Sequence, residues 1–265
     1  MKKLLKILGV LVGLVVLLVA ALAATVALTL KPSLPGEEFD LQPLPAGGGR
    51  NVIVFGATGK LGTEIVRDLR EHGDRVTAFV RASSDRSELE PLGVEFAVGD
   101  VLDPADVQAA MAAGGFDAAI ATIAGASVPN LDGQGNINVT EAAAAAGVQR
   151  VVLVSTVGAG DSRDAAPFIS RLALRKILPQ KTAAEDHLRA SGLRYTIVRP
   201  GGLPPGVVPT GRGIVSEDPR TMGFIKRPDL ARLVVAVLYD ERTIGKTLAA
   251  VDPGLARPWD GGDPK

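Results

Sequence analysis

From Arg50 onward the chain is predicted to fold as an α/β domain with a doubly wound parallel sheet, and three observations carry that expectation. Short Val/Ile-rich runs alternate with helix-like stretches, a glycine-spaced turn joins the first run to the first helix, and the core-forming residues are aliphatic, with 46% hydrophobic residues but only 4% aromatics. The strand-like runs are residues 51–55, 75–80, 94–98, 117–121, 151–155 and 195–199. Between and after them, residues 61–70, 104–112, 134–146, 182–190 and 228–238 have helical composition. Runs that are apolar on both faces belong inside a sheet covered on both sides, and right-handed crossovers then wind the helices above and below it.

The N-terminus is different in kind. Lys2, Lys3 and Lys6 precede an uncharged apolar run over residues 7–30, closed by Lys31 and Pro32. At ~1.5 Å per residue such a run reaches roughly 36 Å, enough to cross a bilayer with some tilt. Residues 1–31 are therefore expected to be a single-pass transmembrane anchor that makes the lipid bilayer a partner. A cleaved signal peptide is the rival reading, supported by the basic start and by Ala21 and Ala23, but its apolar core stops at about 7–15 residues. Residues 32–49, rich in Pro and Gly, read as a tether, residues 50–251 as the folded domain, and residues 252–265 as a loose tail. Removing Lys2, Lys3, Lys6 and Lys31 from a chain balanced at 29 basic and 29 acidic groups leaves residues 32–265 acidic by four. Three lysines before the span and one after it place the N-terminus in the cytoplasm and the domain outside. A nucleotide site makes sense on the opposite, cytoplasmic side, and the slender lysine bias yields to it here.

The turn Gly56-Ala57-Thr58-Gly59-Lys60-Leu61-Gly62 follows strand 51–55 and opens a helix. Its glycines permit a tight turn, a close backbone approach to a pyrophosphate and close helix–strand packing, while the helix N-terminus supplies N–H groups for an anion. With the βα alternation around it, this is the context a dinucleotide fingerprint requires, and the fold is expected to be Rossmann-type. At the end of the second strand, where an NAD site presents a carboxylate to the ribose 2′-hydroxyl, the chain has Val80 and Arg81. An arginine there forks onto a 2′-phosphate, so NADP(H) is expected in preference to NAD(H), with Lys60 as a second cation. A solvated surface arginine is the alternative.

The same turn, Gly99-Asp100 after the third strand, Val152-Leu153-Val154-Ser155-Thr156 at the fifth, Lys181-Thr182-Ala183-Ala184-Glu185, and Ser191 through Gly201 together resemble the atypical short-chain dehydrogenase/reductases, within them the NAD(P)H-binding, NmrA-like group. The resemblance covers roughly residues 51–251. It implies that Gly56, Thr58, Gly59, Lys60, Leu61 and Gly62 cradle the cofactor, that Asp100 and Val101 lie beside the adenine, and that Ala121, Thr122 and Ile123 run along the dinucleotide. It also places Pro200, Gly201 and Gly202 near the nicotinamide. Asp100 reads equally as a turn residue. Relatives pair a catalytic tyrosine with a lysine four residues later, which grips the nicotinamide ribose; Lys181 matches that lysine, but Ile177 stands where the tyrosine belongs. Lys181 reads equally as one partner of a helix-surface pair with Glu185. Ser155 and Thr156 remain as hydrogen-bond donors to a carbonyl, or as hydroxyls that merely end a strand.

Without cysteine there is no thiolate nucleophile or thiolate metal site, and the two histidines, His72 and His187, have no ligand spacing, so no metal is expected. The neutral total gives no footprint for nucleic acid. Residues 167–178 are basic and amphipathic; they read as a helix covering the cleft where relatives keep their tyrosine, or as a segment resting on anionic headgroups. The expected function is a membrane-anchored NADP(H)-binding oxidoreductase whose substrate or protein partner the residues do not name. The alternative is a non-catalytic NADP(H)-binding sensor or assembly factor at the membrane.

Overall fold

The structure, a computed structural model, describes residues 11–21, 37–125, 127–148 and 150–255. In chain order the strands are β1 (Asn51–Phe55), β2 (Arg75–Val80), β3 (Glu95–Val98), β4 (Ala118–Ala121), β5 (Arg150–Val154), β6 (Arg194–Pro200), β7 (Ile214–Ser216) and β8 (Lys246–Val251). The helices are α1 (Lys60–His72), α2 (Pro104–Ala113), α3 (Asn136–Ala146), α4 (Phe168–Ala173), α5 (Leu178–Ala190) and α6 (Arg227–Tyr239). The eight strands form one sheet in the order β3-β2-β1-β4-β5-β6-β8-β7, parallel except for β7. This is the Rossmann-type arrangement expected from the alternation of elements, extended by β7 and β8 at one edge.

Alternate residues of the strands feed two cores. Val52 and Val54 join Ile65, Leu69, Leu230 and Val234 under α1 and α6, whereas Ile53 and Phe55 join Met111, Val139 and Leu188 under α2, α3 and α5. The domain is thus a three-layer sandwich, and each strand is apolar on both faces because each face is covered. Arg150, buried at the start of β5, donates to the carbonyls of Val237 and Arg194 and to the hydroxyls of Thr196 and Thr243, fastening the end of α6 to the sheet. Burial lowers its pKa to about 10.

Helix α3 starts two residues later than its composition suggested, because Leu131–Gly135 form a π-turn in front of it. The anchor expected over residues 7–30 falls partly outside the described residues. Residues 11–21 are helical and exposed, and among the described residues no helix is long and apolar enough to cross a membrane. Residues 37–49, read from composition as tether, are hydrogen-bonded to the domain: Glu38 bridges Ser216 of β7, the Phe39 N–H reaches the Val215 carbonyl, and Gln42 N–H reaches Asp240 at 2.9 Å. Farther on, Asp74 accepts from the backbones of Gly49 and Arg50, both at 3.0 Å, and from the Tyr239 hydroxyl.

Candidate functional site

The strand order reverses between β1 and β4, and the loops leaving their C-terminal ends diverge to open a crevice, the usual ligand position in such sheets. Two lobes of about 300 and 420 Å³ occupy it and share Gly59, Thr122, Ile123 and Ala124, so they form one elongated cleft. The first lobe lies between the glycine turn and the ends of β2 and β3. The second runs over the ends of β4, β5 and β6, below α4 and the start of α5.

The glycine turn is built by close approach. Gly56 has φ +81°, and a Cβ there would lie 2.7 Å from the Thr122 carbonyl oxygen. A Cβ on Gly62 would lie 2.1 Å from the Gly56 oxygen, which only glycine tolerates. Gly59 is different: its Cβ would meet the same oxygen at 3.2 Å, so internal packing alone asks less of it, yet it borders both lobes. No side chain caps the N-terminus of α1, and its first N–H groups and partial positive charge are left for an anion. A cradle of this shape fits a dinucleotide pyrophosphate.

In the first lobe Arg81, Ser84, Asp100 and Val101 come together with Gly56, Thr58 and Gly59. Arg81 is exposed, and its backbone N–H donates to Ser84 Oγ at 3.2 Å, in a turn that sequence reading did not single out. Asp100 Oδ1 accepts from the Leu102 N–H at 2.9 Å within a turn, and the residue borders the lobe. Lys60 does not join Arg81; with Leu61 and Gly62 it lines the second lobe. Ala121 is buried in β4 and borders neither lobe, while Thr122 and Ile123 border both.

The second lobe brings together Ser155, Thr156, Ile177, Lys181, Pro200 and Gly201. Gly202 stands outside it, its N–H bonded to the Gly223 carbonyl where the chain bridges to Phe224. Lys181 is not on the helix surface and does not pair with Glu185, which is held instead by Arg199 at 3.0 and 2.6 Å. Its Nζ donates to the carbonyls of Ile123 at 2.7 Å and Val154 at 3.3 Å and lies 3.3 Å from Asp132 Oδ1. Two carbonyls thus accept from the ammonium, and Asp132 pairs with it as an ion. Burial pushes its pKa below the ordinary lysine value, with Asp132 opposing. Asp132 sits in the π-turn and was not legible as a partner, since 49 residues separate the two positions.

Ser155 Oγ is the odd atom. The residue is 6% exposed and lines the lobe, yet its hydroxyl has no hydrogen-bond partner. Thr156 is half-buried and satisfies its hydroxyl on the Val157 carbonyl at 3.3 Å. Neither tyrosine of the chain lines the cleft: Tyr195 lies in β6 and Tyr239 donates to Asp74 at the far end of the sheet. Leu174 and Leu203 wall the lobe from the α4 side and from the segment after β6, and Arg227 borders it as well.

A protein-family model described as NAD(P)H-binding matches residues 56–241. Among curated proteins, the chain is 33% identical over 201 residues to an uncharacterized sugar epimerase of Bacillus subtilis (strain 168), covering 72% of this chain and 89% of that protein. It is 28% identical over 243 residues to sanguinarine reductase of Eschscholzia californica, covering 74% and 86%. Among solved structures, ChuY, an anaerobillin reductase of Escherichia coli O157:H7, superposes with a TM-score of 0.71 at 29% identity, over 78% of this chain and 99% of that one. The chain belongs to the NAD(P)H-binding family.

Proposed function

We propose that this member of the NAD(P)H-binding family is a membrane-anchored, NADP(H)-dependent reductase of a small molecule, held to the bilayer through residues 7–30 with its domain on the cytoplasmic side. Arg81 and Ser84 would hold the 2′-phosphate, Gly59 and the start of α1 the pyrophosphate, and Pro200 and Gly201 would border the nicotinamide in the second lobe. When bound, the cofactor supplies a hydride. Ser155 supplies the hydrogen bond that orients and polarises the acceptor, and this residue carries the reading: its hydroxyl is buried, borders the cleft and has no protein partner, which leaves it to a group bound there. Lys181 positions rather than reacts, holding the ends of β4 and β5 together.

With Ile177 in place of a tyrosine the site has no strong proton donor, which favours acceptors whose reduced form spreads its charge and takes a proton from water. The reductase names of two relatives agree with this direction of reaction. The test is NADPH oxidation against a panel of quinones, enones and iminium compounds. Turnover should occur with at least one class and fall about a hundredfold in Ser155→Ala, in line with loss of one oxyanion-type donor. Tight NADPH binding with no oxidation by any acceptor would overturn the enzyme and leave the second reading, a nucleotide-binding sensor, which Ile177 and the buried, carbonyl-bound Lys181 favour.

A further inference from the structure

The two segments beside the second lobe, α4 and the loop after β6, carry most of the exposed large hydrophobic residues of the described domain. Among the described residues outside 11–19, seven large hydrophobics are exposed, and five lie on these segments: Phe168 (66%), Ile169 (51%) and Leu172 (51%) on α4, and Val207 (72%) and Val208 (47%) on the loop after β6. Helix α4 buries none of its residues. Apolar side chains gathered in this way, rather than scattered singly, mark a surface that meets something.

Charge says what it meets. Residues 163–176 hold Arg163, Arg171, Arg175 and Lys176 against a single acid, Asp164, which pairs with Arg171 at 3.0 Å. No acidic residue occurs between Gly201 and Ser216. An apolar centre with a basic rim is the composition of a helix lying in the plane of an anionic membrane interface. The chain's course agrees. Residues 31–36, six in all, can reach at most about 20 Å from the end of the apolar run before Glu38 is fixed to Ser216 of β7. Strand β7 directly follows the loop that carries Val207 and Val208.

We infer that α4 and the loop at 203–208 dock on an anionic bilayer, with Phe168, Ile169, Leu172, Val207 and Val208 among the acyl chains and the arginines at the headgroups. Leu174 and Ile177, directly after α4, and Leu203, at the start of the loop, line the second lobe, so the lobe opens towards the membrane and its substrate is an apolar molecule dissolved in the bilayer. The substrate half of this inference rests on the reductase reading; the docking half does not.

The test uses the full chain reconstituted in phosphatidylcholine vesicles with and without phosphatidylglycerol. Tryptophan is placed by Phe168→Trp and, separately, Val207→Trp, each in a Trp259→Phe background so that it is the only indole. Brominated acyl chains should quench both tryptophans in the anionic vesicles. Arg171→Glu with Arg175→Glu should abolish the quenching, since each basic side chain near the surface contributes about fivefold in binding. Absence of quenching in folded, NADPH-binding protein would overturn the docking, as would sedimentation showing that the patch is covered by a second copy. In parallel, NADPH oxidation is followed with a long-tailed quinone in the vesicles and a short-chain, water-soluble quinone. Phe168→Asp with Leu172→Asp should lower kcat/KM about tenfold or more for the long-tailed quinone, a loss of at least 1.4 kcal/mol, and leave the soluble one unchanged. Equal effects on both overturn delivery from the bilayer while the reductase stands. Quenching without oxidation of either quinone, or of any other acceptor, overturns the reductase and the substrate half together.

Discussion

Replacing Lys181 by methionine takes the ammonium away from three oxygens and leaves Asp132, 2% exposed, with one hydrogen bond, from the Gly125 N–H at 3.2 Å. Removing one partner of a buried ion pair costs about 3–5 kcal/mol, because the other charge stays behind uncompensated. The expected deficit in urea unfolding at pH 7 is therefore about 3–5 kcal/mol. Lys181→Met with Asp132→Asn should recover most of it, since a neutral amide carries no orphaned charge. In that double variant NADPH affinity should change by less than about threefold, a difference of ~0.6 kcal/mol, because the lysine's N–H groups already serve the protein. A double variant as unstable as the single would refute the pairing. One that is stable but binds NADPH at least tenfold more weakly would mean that the lysine grips the nucleotide after all.

Three further outcomes are expected. Asp68 on α1 has a buried, unpartnered Oδ2, and burial pushes its pKa up to about 6. The folded state therefore holds this proton more tightly than the unfolded chain, and the stability it contributes at low pH is lost as pH rises from about 4 through 6. Asp68→Asn should stabilise the domain by on the order of 2 kcal/mol at pH 7.5 and by little at pH 4; equal effects at both pH values would count against the burial argument. Gly62→Ala, whose Cβ would lie 2.1 Å from a backbone oxygen, should cost about 3 kcal/mol in thermal or urea unfolding, and Gly59→Ala much less; a Gly62→Ala protein of wild-type stability contradicts the packing described for the turn. Leu44→Cys, at an exposed position in a chain without cysteine, should be shielded from an impermeant thiol reagent in intact cells; labelling would move the domain to the other side of the membrane.

Much of this was legible because the relevant signals are local. Strands β1 and β2 coincide with their Val/Ile runs, and the glycine turn stands between a strand and a helix as its spacing required. Strands β7 and β8 were not legible: β7 has three residues, and Lys246–Val251, with its two alanines and a leucine, has no strand alternation of its own and exists through pairing with β6 and β7. Segment 37–49 reads as linker because hydrogen bonding by backbone, as at Phe39, leaves no trace in composition. The site divides in the same way. Arg81 and Ser155 follow from position at the ends of strands, whereas Asp132 opposite Lys181 is a contact made by the π-turn, and the wide separation in sequence hides it. Lys60 lines the second lobe rather than the first, a detail that spacing along the turn does not give.

The measurement that bears most directly on the account is a calorimetric titration of the protein with NADPH and with NADH, wild type beside Arg81→Ala. The account predicts that wild type binds NADPH at least tenfold more tightly than NADH, a difference of about 1.4 kcal/mol, and that Arg81→Ala removes this preference while leaving NADH affinity unchanged. Equal affinities in wild type, or a loss of both nucleotides alike in the variant, would contradict the placement of the 2′-phosphate at Arg81; no binding of either would remove the cofactor from the cleft.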